Sequence, residues 1–418
     1  MIKKILVLVI LILFLGAGSG FAATGTVAGS FLKIGVGGRP VAMGEAYTAL
    51  ADGVDAPYWN PAGIANQEVL EVLSMHADWF QDTSFQYIGF VFPPVDWGVF
   101  GVSYSMLNYG AIAGYSATGS READVNAGDA ALNVTWAKVI NDKLSLGLNA
   151  KFISETLASY SASTFAFDLG ALYNLNPDLI LGLNFQNQGG SLTFISEANP
   201  LPNKIALGIA AKRFIFKPLT VTADFNLPND SDMYLNVGSE YTFNDFLILR
   251  LGYARSRYQG GLGFRAKYFA LDYAYVPHEY LGATHRISLA LQFGITTEDE
   301  IKKHYELGTE YYKEQKYLDA LSEFKAVLEL DPLNKDSRDY VDRIVEEMRQ
   351  KTLLEKVKAL REQKAKAREL LDEAVIEFQK KNYEKAKELV DQSLYYAPDN
   401  EKALELKERL KKVLKIEK

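Results

Sequence analysis

Leu144-Ser145-Leu146-Gly147-Leu148-Asn149-Ala150-Lys151-Phe152 puts Leu, Leu, Leu, Ala and Phe on one face of an extended chain and Ser, Gly, Asn and Lys on the other, because successive strand side chains point to opposite faces. Ile287, Leu289, Leu291 and Phe293 alternate in the same way with Ser288, Ala290, Gln292 and Gly294. Between Val69 and Ile295 the chain breaks into fourteen such runs, near 69–78, 83–92, 97–108, 127–139, 143–156, 163–175, 179–188, 203–213, 218–227, 232–243, 246–255, 259–268, 269–277 and 284–295. In lipid every backbone N–H and C=O must be paired within the protein, so a sheet survives there only if it closes on itself, apolar outside and polar inside. The pattern predicts an all-β transmembrane barrel of about 14 antiparallel strands over 69–295. A soluble antiparallel propeller or large sandwich is the competing architecture, but its strands are usually shorter and no repeat with a blade signature occurs here.

The connections carry a second signal. Those after even-numbered runs are tight: Pro93 to Asp96, Ile140 to Asp142, Asn176-Pro177-Asp178, Phe214 to Lys217, Asn244-Asp245, and almost nothing at Tyr268-Phe269. Several after odd-numbered runs are longer: Tyr109 to Asn126, Leu157 to Ala162, Gly189 to Pro202 and His278 to Ala283. Outer-membrane barrels pair short periplasmic turns with longer outer loops, so this parity predicts both ends of the barrel domain on the periplasmic side. Lys3 and Lys4 before the apolar stretch Ile5 to Leu15, then Gly20-Phe21-Ala22-Ala23, read as a secretory signal peptide over 1–22 with cleavage after Ala22 or Ala23. That apolar stretch is too short to span a bilayer; a retained anchor helix is the alternative.

Lys151, Asp168, Asp224, Glu240, Arg250, Arg265, Lys267 and Asp272 fall on the face opposite the apolar residues of their runs. A charge facing lipid near the midplane costs about 2–4 kcal/mol, so these eight are expected in the lumen, as a paired network that fills the interior or as a polar conduction path. Trp79, Phe80, Trp97, Tyr109, Trp136, Tyr173, Tyr241, Tyr268, Tyr275 and Tyr280 stand near strand ends, where interfacial aromatics are expected.

Residues 23–68 are rich in Gly, Ala and turn signals and weak in strand pattern, as a plug or brace in the barrel mouth would be. Gly35-Val36-Gly37-Gly38 lacks the following Gly-Lys-Ser/Thr and the strand-to-helix setting of a phosphate cradle. The order Phe31-Leu32-Lys33-Ile34-Gly35, Gly38-Arg39, Ala42-Met43-Gly44, Ala46-Tyr47, Ala49-Leu50-Ala51-Asp52 and Trp59-Asn60-Pro61-Ala62-Gly63 resembles the N-terminal signature of the PorV/PorQ family, outer-membrane barrels related to the FadL long-chain fatty acid transporters. The resemblance implies a fourteen-stranded FadL-like barrel with this segment in or near its lumen, and a role in type IX secretion, where such proteins handle or attach exported cargo. Glu45 stands where a second Gly is more usual, and typical members lack the carboxy-terminal region found here.

That region is set apart by charge. Residues 298–418 hold 27 Lys/Arg and 29 Asp/Glu, 46% of their positions, against about 14% in the first 297, which places a domain boundary at Gly294 to Glu298 and a second domain over 296–418. The charges are balanced and interspersed, so nothing argues for nucleic acid as a partner. Periodicity changes to 3.6, and Leu307-Gly308, Tyr311, Ala320, Phe324 and Pro332 take the spacing of a 34-residue tetratricopeptide repeat, with His304 where Trp is common. A second copy follows through Ala374, Phe378, Ala386 and Pro398; 335–365 and 400–416 read as charged helices that extend or cap the pair. Such stacks bind an extended peptide or a partner domain.

The chain has no Cys, its four His residues (His76, His278, His285, His304) share no ligand spacing, and no nucleophile motif occurs. No cofactor and no enzymatic role are therefore expected. The sequence reads as an outer-membrane barrel with a periplasmic tetratricopeptide module that recruits a protein partner for secretion, cargo handling or envelope assembly. The alternatives are a transporter of hydrophobic small molecules and a structural scaffold.

Overall fold

Backbone pairing carries the sheet round on itself. In the computed structural model, which describes residues 27–216, 218–244 and 246–416, the strands in chain order are β1 (Leu70–Asp78), β2 (Ser84–Val91), β3 (Val99–Asn108), β4 (Ala127–Asn141), β5 (Leu144–Leu157), β6 (Tyr160–Asn176), β7 (Leu179–Gly189), β8 (Ser191–Phe194), β9 (Glu197–Pro200), β10 (Lys204–Ala211), β11 (Leu219–Pro228), β12 (Tyr234–Phe243), β13 (Leu247–Ala254), β14 (Arg257–Ala266), β15 (Phe269–His278) and β16 (Gly282–Phe293). All but β8 and β9 form one closed antiparallel barrel of fourteen strands, sealed where β1 pairs with β16 from Leu70↔Phe293 to Asp78↔His285. The expected signal peptide lies outside the described residues.

The alternation of the sequence is the in–out alternation of the wall. Along β5, Leu146, Leu148 and Phe152 are exposed while Ser145, Asn149 and Lys151 are buried. Leu132, Val134, Phe167, Leu169, Leu249, Leu251, Leu262, Phe264, Ile287 and Leu289 extend the outward apolar surface over neighbouring strands. A soluble monomer rarely exposes a contiguous apolar surface of more than a few hundred Å².

The start of β1, the end of β16 and the tight turns share one end of the barrel: β4–β5, β6–β7 and β14–β15 are each joined by two residues, at 142–143, 177–178 and 267–268. The other end carries the long connections 109–126 and 190–203, the second folded into the β8–β9 hairpin. Two expected outer loops are shorter than the sequence pattern suggests. β5 and β6 stay paired to Leu157↔Tyr160 and turn through Ala158-Ser159 with Ala158 at φ 55, so 157–162 is ladder and tight turn. β15 and β16 stay paired to His278↔Gly282, which leaves three residues between them. Polar strand tips hid these extensions, since beyond an apolar wall the period-2 contrast disappears.

The helical unit, residues 297–418, is a separate compact body. Two short helices, α1 (Gly38–Ala42) and α2 (Ala56–Trp59), precede β1 and lie in the barrel lumen. The helical unit contains α3 (Thr297–Lys313), α4 (Tyr317–Leu330), α5 (Lys335–Gln379), α6 (Tyr383–Tyr396) and α7 (Glu401–Ile416). α5 is one uninterrupted helix of 45 residues, capped by Asn334, whose side chain accepts from Ser337 N at 3.0 Å. Where the sequence suggested a separate linking helix, no Gly or Pro breaks the run, so linker and second-copy helix fuse.

Buried positions repeat along the unit at one constant offset of 66 residues: Gly308 and Ala374, Ala320 and Ala386, Phe324 and Val390, Val327 and Ser393, Ser337 and Ala403, Ile344 and Leu410. In the first copy Phe324 stacks on Tyr340 at 4.5 Å, and a Cβ on Gly308 would lie 3.0 Å from the Phe324 ring. Leu307 and Tyr311 are half-buried beside them, Phe378 meets Tyr383 at 5.5 Å in the second copy, and Pro332 and Pro398 are exposed in the turns after α4 and α6. No described helix is long and apolar enough to cross a membrane.

Candidate functional site

Fourteen strands enclose more space than wall side chains fill; eight-stranded barrels close on side chains alone, and sixteen-stranded ones hold water. Here the chain fills the difference itself. Residues 27–69 enter the lumen as a 3-10 turn at Ser30–Lys33, α1, another at Gly53–Asp55, α2, and a third at Pro61–Asn66. Val36, Val41, Ala42, Met43, Tyr47 and Ile64 are buried, in one cluster with inward wall residues such as Met75, Phe85 and Ile153.

The wall meets this plug at three cross-strand glycine pairs. Gly147↔Gly170 lies under Asn60–Ala62, Gly182↔Gly208 under Thr48–Ala49, and Gly238↔Gly252 under Met43–Gly44. A Cβ on Gly252 would sit 1.9 Å from Gly44 N, and one on Gly182 would sit 2.4 Å from Thr48 O. Plug backbone therefore rests directly on wall backbone. Gly44 has φ 67 and Glu45 has φ 60, so Glu45 adopts the left-handed conformation that a second Gly would take without strain.

Polar groups lock this packing. Asp52, Arg39, Glu240, Arg250 and Asp272 form a chain of alternating charge. Arg39 donates to Asp52 Oδ1 at 2.6 Å and to Glu240 through Nε at 2.8 Å and Nη2 at 3.1 Å. Arg250 donates to Glu240 Oε2 at 2.7 Å and to Asp272 Oδ1 at 2.6 Å. Tyr47 donates its hydroxyl to Asp52 at 2.8 Å. Asp224 accepts the Tyr47 and Thr48 amides, both at 2.8 Å. On the other side of the lumen Lys151 pairs with Asp168 at 2.8 Å and donates to Asn187 at 2.6 Å. Asp168 also accepts Asn187 N at 2.7 Å where β7 bulges opposite it, with Asn187 at φ 57.

Of the eight charges expected in the lumen, Lys151, Asp168, Asp224, Glu240, Arg250 and Asp272 are buried inside the barrel. Arg265 keeps inward parity on β14 but is exposed near the strand's end. Lys267 falls in the β14–β15 turn, 5.2 Å over the Tyr268 ring, because β14 ends at Ala266. Among the aromatics expected at the interfaces, Trp97, Tyr268, Tyr275 and Tyr280 are exposed. Trp79 and Tyr109 instead pack against the interior, and Tyr109 donates to Asp129 at 2.7 Å.

The signature residues gather in the plug. Gly35 lies against Val41 and Trp59, Gly38 N donates to Ser288 Oγ at 2.9 Å, and Met43 is fully buried. Trp59 donates to Val36 O at 2.9 Å. Asn60 is fully buried: its amide donates to Thr48 O at 2.8 Å and to Ala171 O of β6 at 3.2 Å, and its oxygen accepts Ala62 N at 3.2 Å. Pro61 then opens the last 3-10 turn, and Gly63 packs on the Ala51 carbonyl. Wall amides missed by a search for charges hold the same segment: Asn184 donates to Trp59 O at 2.8 Å and Gln186 to Tyr58 O at 2.7 Å. Inward parity on β7 was the signal that could have found them.

One cavity of about 10 Å³ lies between Phe31, Leu32 and Tyr58 of the plug and wall residues that include Phe85, Tyr87, Ser105, Asn133, Asn149 and Lys151, the space of about one water. The described residues contain no cluster of side chains able to hold a metal.

Fold and lumen define a closed fourteen-stranded antiparallel barrel, apolar outside and occupied by its own N-terminal segment, followed by a helical unit. Residues 20–152, the plug and the first strands, match the family described as "Uncharacterised protein family (UPF0164)". No curated protein matches the chain. Among solved structures, similarity is found to the Ralstonia pickettii toluene transporter TbuX (18% identity, 62% of this chain and 99% of that one, TM-score 0.45). It is also found to the Pseudomonas putida toluene transporter TodX (14%, 65% and 97%, TM-score 0.45) and to a Pseudomonas aeruginosa FadL homologue (13%, 59% and 95%, TM-score 0.40).

Proposed function

We propose that the protein is an outer-membrane barrel acting as a closed anchor, with a periplasmic tetratricopeptide-type module that recruits a protein partner for secretion, cargo handling or envelope assembly. The observation that carries this reading is the lumen: plug and wall meet backbone to backbone at the three glycine pairs, with a chain of buried ion pairs joining them. Transport of a hydrophobic molecule would require the plug to leave. The apolar outer wall supports insertion in lipid, and the tight turns at the end where β16 finishes support a periplasmic helical unit.

Placement in lipid has a direct test. Leu148 faces outward on β5 between Trp136 and Leu169 of the flanking strands. Leu148→Lys is expected to cost about 2–4 kcal/mol in a bilayer and within about 0.5 kcal/mol on a soluble surface. Urea titrations of folding into lipid vesicles read the difference, and an unshifted midpoint would remove the membrane assignment.

Recruitment is supported by the repeated buried set and by α5, whose middle carries exposed Leu353, Leu354, Val357 and Leu360. Detergent pull-downs with the full chain and with residues 297–418 deleted are expected to share lipid and barrel-associated components, with the specific protein partner captured only by the full chain. Recovery of the same partners by both would sink the recruitment role.

A further inference from the structure

At the end of the barrel opposite the start of β1 and the end of β16, five buried side-chain atoms with no hydrogen-bond partner lie on one patch of the inner wall: Gln259 Oε1, His278 Nε2, Thr284 Oγ1, and Nε and Nη1 of Arg286. These are five of thirteen such atoms among the described residues, and the register brings them together. β15 and β16 pair at Ala274↔Arg286, Val276↔Thr284 and His278↔Gly282, with Gln259 inward on the adjoining β14. The contrast with Arg250 is informative: one buried guanidinium binds two carboxylates, while Arg286, only 2% exposed, lies over the Trp79 ring at 5.3 Å. A buried cation without a hydrogen-bonded carboxylate is costly.

The donors converge. Arg257 Nη1 contacts His278 Nδ1; a guanidinium only donates, so Nδ1 accepts and the neutral ring carries its proton on Nε2. His278 Nε2–H therefore joins Arg286 Nε–H and Nη1–H and the Thr284 hydroxyl as donors on one patch. Arg255 and Arg257 add positive charge nearby, and Glu45, whose carboxylate acts on Arg255, His278 and Arg286 through space, is the acidic counterpart on the plug. His278 and Arg257 are part-buried at the rim of the patch, with Trp79 and Phe80 packed edge-on against the His278 ring.

We propose that this patch is a binding site for a compact oxyanion, a carboxylate or phosphate group, with Arg286 as its main ligand and His278 and Thr284 as secondary donors. The inference is independent of partner recruitment by the helical unit. Charge-assisted hydrogen bonds to such a group would satisfy atoms that otherwise oppose folding.

The test uses the full chain purified in detergent, with inorganic phosphate and acetate as free anions and dodecyl phosphate as a headgroup presented by an amphiphile. Equilibrium dialysis and Trp79 emission are expected to show saturable binding at one site per chain. Tight binding of the free anions assigns a solute site, and binding of dodecyl phosphate alone assigns a headgroup site. Arg286→Met is expected to weaken binding by about tenfold or more, while Arg265→Met leaves it unchanged. In anion-free buffer Arg286→Met should raise the unfolding midpoint and abolish its rise with added anion. No binding of any of the three probes, equal affinity in Arg286→Met, or a lowered midpoint without anion would overturn the site and leave those atoms to water.

Discussion

Arg250→Met is expected to destabilise the barrel by about 3–5 kcal/mol, the range for removing one partner from a buried ion pair. Arg250 is the largest fully buried side chain described, and its position between Glu240 and Asp272 makes the effect larger than at either neighbour. Without it Asp272 keeps no ion pair, and Glu240 keeps only Arg39. Glu240→Ala is expected to cost less, because Arg39 retains Asp52 and Arg250 retains Asp272, so the remaining charges balance. Heat-induced unfolding in detergent, followed by the gel-mobility change of the folded barrel, orders the variants: wild type above Glu240→Ala above Arg250→Met. The triple replacement Arg39→Met, Glu240→Leu, Arg250→Met should recover much of the loss, since an apolar substitute needs no desolvation of charge. An Arg250→Met midpoint equal to wild type would show that the chain of ion pairs contributes nothing to the plug–wall contact.

The wall was legible because a single physical constraint, apolar outward and polar inward, writes itself into every second residue. The same parity placed Lys151, Asp168, Asp224, Glu240, Arg250 and Asp272 inside the barrel. It applies equally to Asn184, which attention to charged residues passed over, and to Arg286, which stands one residue before the Ile287–Phe293 alternation. Strand tips were less legible: at Leu157↔Tyr160 the ladder outruns the apolar wall, so pairing continues where side-chain contrast stops. Lys267 fails for a related reason, being one residue past the end of β14.

The plug could be named as a segment but not built from sequence. Its backbone has few regular hydrogen bonds, and its conformation is imposed by contacts with residues more than a hundred positions away, such as Asn60 with Ala171 and Tyr47 with Asp224. Local propensity carries no record of such contacts. The wall glycines do carry one in retrospect. Gly in a strand interior weakens the strand and marks close approach of another backbone, and Gly147, Gly170, Gly182, Gly208, Gly238 and Gly252 all stand at inward positions facing the plug. In the helical unit the spacing was legible from small and aromatic residues, whereas the fusion into a 45-residue α5 was not, because a linker of good helix formers looks the same whether it pauses or continues.

Gly252→Val is expected to drive the plug off the β12–β13 wall. A Cβ at this position would lie 1.9 Å from Gly44 N and 2.3 Å from Met43 C, both backbone atoms, so no change of rotamer relieves the clash. Gly44 cannot yield locally: its own Cβ position is 2.5 Å from Tyr253 N, and its φ of 67 belongs to the left-handed region. The whole Met43–Gly44 turn must move, and with it the Arg39 bonds to Glu240 and the Asp224 bonds to Tyr47 and Thr48. The natural chain has no Cys, so a single Thr48→Cys, at a site 2% exposed, reports plug position by its reaction with a maleimide. Labelling should be slow in the Thr48→Cys protein and at least tenfold faster when Gly252→Val is added, an opening free energy reduced by about 1.4 kcal/mol or more. Planar-bilayer conductance should rise in parallel, because a fourteen-stranded wall without its plug encloses more space than its side chains fill. Gly128→Ala, whose nearest neighbour would be at 3.8 Å, serves as the matched control and should change neither readout. A Gly252→Val protein that stays closed, with Thr48→Cys still protected, would mean that the glycine pairs do not hold the plug, and the closed-anchor reading of the barrel would fall with them.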